Sequence, residues 1–259
     1  GGEISPPPIC LEAKDLRGGY EVTTPERVWL GFNWLSHHWA ATDLLGLFEQ
    51  VVRTAAAEAI ETFNRRARTY GTMLGTKQTA AAPDVAVISA AELRDRVQYV
   101  GGTEAITRLN EVGRKWRNAD DPLAQTRAVV SAMVTEAGLI GPAVVYGLSS
   151  LVYPSTHISR LSGHPEFAAA TEAARLTQEE SGHPAIKYRE FFTGISDMSF
   201  FGHRPLDTDR ALIAGNTPAR ELIDDVRTDA LSFPVVNIGP WGREFHQRLE
   251  RVHAPYAFE

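Results

Sequence analysis

Ala143-Val144-Val145-Tyr146 is an unbroken tetrad of apolar and aromatic residues. It has the character of a strand buried on both faces, as in a parallel sheet covered by helices. The tetrad lies within an uncharged run, Ala137 to Tyr153, long enough to raise the question of a membrane span. Gly138, Gly141, Pro142 and Gly147 interrupt that run, and Ser149 and Ser150 add polarity. A strand with flanking loops is therefore the better reading.

Moving towards the N-terminus, helical patterns occupy Pro122–Ala137, Thr103–Trp116 and Ala90–Val100, and Val85-Ala86-Val87-Ile88 reads as another strand. Moving the other way, a helix is predicted from Pro165 to Glu180 and a strand from Ile186 to Phe192. Val235-Val236-Asn237-Ile238 follows as a buried strand, then Gly239-Pro240-Trp241-Gly242 and a final helix from about Arg243 to Val252. Strands alternating with helices in this way indicate an α/β layer structure with a mainly parallel sheet.

The first 90 residues read differently: strand, strand, helix, strand. Ser5-Pro6-Pro7-Pro8 is extended because each proline disfavours helix in its predecessor. Ile9 to Ala13 suits a short strand, and Val28 to Leu35 a better one. Thr42 or Asp43 caps a long helix in which Leu44, Leu47, Phe48, Val51, Val52, Ala55, Ile60 and Phe63 recur at three- and four-residue steps. Gly71 is its expected stop. The expected division is thus a smaller α+β unit over residues 1–89 and an α/β unit over 90–259.

At 259 residues and 28.4 kDa, with 26 Lys and Arg against 32 Asp and Glu, the chain has a formal net charge of −6 and a pI near 5.8. An acidic surface argues against a role in coating nucleic acid or anionic membrane. Hydrophobic content of 43% with 22% charged residues allows a sizeable core. A single cysteine, Cys10, excludes an internal disulfide and any cysteine-rich zinc module, and suits a reducing cytoplasm. No basic segment followed by an apolar one opens the chain, so no signal peptide is expected. There is no internal repeat, no G-x-S-x-G elbow, no phosphate-cradling Gly-x-x-x-x-Gly-Lys and no G-x-G-x-x-G.

Three places suit chemistry. Gly194-Ile195-Ser196-Asp197 follows a predicted strand, and open parallel sheets bind ligands at the carboxyl ends of their strands. The competing reading is that Gly and Asp are turn formers. Asn237-Ile238-Gly239-Pro240-Trp241-Gly242 ends another strand, where glycines admit close backbone approach and a following helix start favours anions. An ordinary strand-to-helix connection would look the same. In the predicted last helix, His246, Glu250 and His253 are spaced four and three apart on one face, which suits a first-row metal, although side chains at that spacing more often form a solvated helix face. His157, after the 143–146 strand, is a weaker candidate for lining the same crevice, a loop position away from it being the commoner outcome. His37 and His38 are adjacent and would face opposite ways in a strand.

Pro234 to His246, continuing through Leu249-Glu250-Arg251-Val252 to Pro255-Tyr256-Ala257-Phe258, resembles the C-terminal signature of arginine-utilisation proteins of the RocB-like branch of the zinc aminoacylase, ArgE and DapE metallopeptidase family. Phe191 to Phe200 resembles the same branch, and so does Pro6-Pro7-Pro8-Ile9-Cys10-Leu11 with Asp15-Leu16. The resemblance runs from near residue 3 to the end and is vague between about Gly71 and Pro142.

It implies a two-domain amide hydrolase: a zinc-exopeptidase-like catalytic α/β domain holding two zinc ions, and a smaller lid that mediates homodimerisation. Residues 1–89 would be the later part of the lid and 90–259 the C-terminal part of the catalytic domain. By the same resemblance His246 matches the last zinc ligand, Asp197 is the catalytic acidic residue of the crevice loop, and Gly194, Asn237, Gly239 and His157 line the substrate site. The other metal ligands lie upstream of the lid in that family, so this chain is expected to be the second half of an enzyme that binds zinc weakly alone. The implied substrates are N-acyl amino acids or arginine-related peptides, in the cytoplasm. The alternative is a non-catalytic binding or dimerisation module derived from such an enzyme.

Overall fold

Two consecutive β-branched runs and the helices between them build the centre of the molecule. The structure, a computed structural model, describes residues 7–20, 22–35, 39–76, 82–117, 121–153, 163, 165–181, 207–220, 242–244 and 248–255. The chain is mixed α/β. An N-terminal hairpin pairs β1 (Ile9–Asp15) antiparallel with β2 (Val28–Asn33), with an irregularity between Cys10 and Glu12. The long helix α1 (Ala41–Met73) follows. Its N-cap is Ala40, without a side-chain cap, so Thr42 and Asp43 sit inside the first turn rather than ahead of it. Gly71 is buried within the helix; the left-handed residue just past the end is Gly75, with φ 66°.

β3 (Ala86–Ser89) then pairs in parallel with β4 (Ala143–Tyr146), Ala86 opposite Ala143 and Ser89 opposite Tyr146. The connection between them is α2 (Ala90–Trp116) and α3 (Pro122–Glu136). The two helical patterns read on either side of Gly101 and Gly102 form one run broken by a kink at Gly102, where φ is 60° and ψ −159°. Only glycine adopts this conformation cheaply. α2 and α3 run antiparallel: Gln125 Nε2 donates to Gly113 O (2.9 Å), and Arg108 makes a forked pair with Glu136 (2.7 and 2.9 Å).

The core lies between these helices. Leu93, Val97, Ala105 and Leu109 of α2 meet Val129 and Met133 of α3, with Ala137 and Ala219 beside them and Ile88 and Val145 closing the cluster from the strands. β4 is half-buried along its length, not buried on both faces as expected, because among the described residues β3 is its only strand neighbour.

α4 (Pro165–Ser181) matches the predicted helix, and α5 (Asp207–Asn216) was not anticipated. The expected strands at 186–192 and 235–238 lie outside the described residues. The expected final helix is overturned. β5 (Gly242–Arg243) pairs antiparallel with β6 (Arg251–Val252), making a hairpin where a helix over 243–252 was predicted. Gly242 permits it, since a Cβ there would stand 2.8 Å from Arg251 O. Glu244 takes a positive φ of 54° and pairs with Arg251 (3.1 Å).

Candidate functional site

The carboxyl end of the β3–β4 pair is where an open parallel sheet would receive a ligand. Ser89, the last residue of β3, is also the N-cap of α2. Its Oγ accepts from Glu92 N–H (3.2 Å), while the Glu92 carboxylate accepts from Ser89 N–H (2.7 Å). This reciprocal capping box satisfies two orphan donors. A third, Ala91 N–H, donates to Asn216 Oδ1 (3.3 Å). The helix start that could have bound an anion is thus occupied by the protein's own oxygens.

Asn216 belongs to the end of α5, and the segment 216–219 is buried against the sheet edge. Asn216 O accepts from Leu148 N–H (2.8 Å), and Asn216 Nδ2 donates to Leu212 O (3.1 Å). Gly147 makes the approach possible: a Cβ there would lie 2.8 Å from both Asn216 O and Ala90 Cβ. Arg94 reaches over to donate to Pro218 O (2.8 Å), and Thr126 Oγ1 donates to Ser149 O (2.8 Å). The carboxyl edge is therefore closed above β3 and continues past β4 along residues 147–153.

Tyr146 ends β4 and faces α1. Its hydroxyl donates to Glu49 Oε2 (2.7 Å), and Glu49 Oε1 accepts from Arg53 Nε (2.8 Å). Phe48 packs edge-on to both Tyr146 and Phe32, at ring separations of 6.4 and 6.1 Å. The hydrogen bond from Tyr146, followed by that from Arg53, holds the Glu49 carboxyl below its ordinary range. Burial, and then the hydrogen bond to Glu49 and its charge, push the Tyr146 phenol up to about 12. This is a neutral phenol donating to an ionised carboxylate, an arrangement that positions α1 on the sheet and holds its proton at neutral pH. Neither Glu49 nor Asn216 was singled out from sequence. A signal for Asn216 exists, since Asn followed two residues later by Pro218 is a helix-stop pattern.

The residues assigned from sequence, Asp197, Gly194, Asn237, Gly239, His157 and His246, all lie outside the described residues. Glu250 and His253 are described and exposed, and they flank β6. Glu250 and His253 stand on either side of a strand, so the helical spacing that would place those two on one face does not hold there. Among the described residues no three His, Cys, Asp or Glu side chains come together in a way that could hold a metal ion. None of the described helices is long and apolar enough to cross a membrane.

No family model matches the chain, and no solved structure does. Two curated proteins of Bacillus subtilis (strain 168) are similar to it. One is the uncharacterised protein YqjN, 28% identical over 262 residues that take in 100% of this chain and 46% of YqjN. The other is Protein RocB, 21% identical over 264 residues, covering 99% of this chain and 46% of RocB. The chain thus spans about half the length of the curated relatives it matches. The likeness to RocB read from short motifs extends distantly along the whole chain.

Proposed function

We propose that the chain is the later part of a RocB-like, zinc-dependent amide hydrolase that removes acyl groups from N-acyl amino acids or cleaves arginine-related peptides. The observation that carries this reading is the similarity to RocB from one end of the chain to the other, together with the terminal motif around His246. In this proposal His246 contributes a ligand to a centre of two zinc ions. Asp197 acts in the crevice, and Gly194, Asn237, Gly239 and His157 line the substrate. The protein works in the cytoplasm as a homodimer through residues 1–89, on small substrates, without nucleic acid or membrane. The described residues do not by themselves form a zinc ligand set, so the remaining ligands come from residues beyond them. When bound, zinc would supply an activated water and polarise the scissile carbonyl.

The full-length protein, including sequence upstream of Gly1 in the gene, is the material for the test. It should carry two zinc ions per chain by elemental analysis and release acid from N-acyl-arginine. His246→Ala should lower kcat by more than about a hundredfold, since even outer-shell changes cost about 10–100-fold. A full-length protein with neither zinc nor amidase activity would refute the reading. A tight stoichiometric zinc site in the 259-residue chain alone would show instead that the chain carries a full ligand set of its own.

The exposed apolar faces of α1 and of the β1–β2 hairpin favour a second reading, a binding or dimerisation module derived from such an enzyme. Stable self-association of the full-length protein without turnover would select it.

A further inference from the structure

We draw no further inference here: the strongest candidate, the uncovered apolar face of the β1–β2 hairpin on which Val28, Leu30 and Phe32 alternate along β2, carries nothing because nothing in the structure shows what covers it.

Discussion

Tyr146 illustrates how one side chain joins two elements. Its ring is held by Phe48, and its hydroxyl is committed to Glu49. Tyr146→Phe keeps the ring and removes the donor, leaving Glu49 with Arg53. The folded Glu49 carboxyl sits below its ordinary 4.5, so its stabilising contribution is complete above that value and is lost as pH falls through the lowered one. The variant should therefore melt about 2–4 °C below the wild type near neutral pH, with the gap closing in acid. An unchanged gap in strong acid would show that the hydrogen bond is not its source. In alkali the sign reverses. The folded phenol keeps its proton from 10 up to about 12 while an unfolded one loses it, so stability falls across that window, and a tyrosinate absorbance step near 12 should disappear in Tyr146→Phe. Little of this was legible beforehand. Tyr146 was read only as the end of a strand, and its partner sits 97 residues away in sequence, a distance that no local pattern spans. The six residues picked out as a site lie outside the described residues.

Among the elements, α1 and α2 begin in opposite ways. α1 has no side-chain cap, whereas α2 starts with a complete capping box from Ser89 and Glu92, reinforced by Asn216. Ser89→Ala should cost about 1 kcal/mol in chemical denaturation and Ser89→Gly only a few tenths, because glycine tolerates the cap conformation and leaves the amides open to water. Equal losses for the two would place the effect in packing rather than capping. Most elements were legible because periodicity and glycine punctuation are local signals: β3, β4, α3, α4 and the break at Gly102 stand where the pattern put them. The segment 243–252 failed for the converse reason. Its polar residues have acceptable helix propensity, yet Gly242 lets Arg251 approach and the Arg251–Glu244 pair closes a hairpin, so pairing overrides propensity. α5 is only ten residues long, and it was missed.

Over the whole molecule, the expected boundary at Ser89 falls at the joint of β3 and α2, inside the strand–helix–helix–strand unit that pairs β3 with β4. The N-terminal hairpin also reaches across that boundary to α3. Arg127 of α3 pairs with Glu12 and with Asp121, which caps the same helix (3.2 Å). Arg27 donates to Ser131 O (3.0 Å) and to Thr135 Oγ1 (3.2 Å). The hydrogen bond from Lys14, and then the Arg127 charge acting against partial burial, keep the Glu12 carboxyl below its ordinary range. Both Glu12 and Arg127 side chains are only 12–13% exposed, so their pairing is less screened than a surface contact. Arg127→Ala should therefore loosen the hairpin from α3 at a cost of about 2 kcal/mol, the range of hydrogen bonds to charged groups. Hydrogen exchange should speed up across β1 and β2 while the α2–α3 core keeps its protection, since the residues of that core come from α2, α3, Ala137 and Ala219, with β3 and β4 packed against them and no residue of β1 or β2 among them. If exchange rose equally in α2, the hairpin and the helical unit would unfold as one body. A lid able to move independently of the rest would then have to be sought elsewhere than at residue 89.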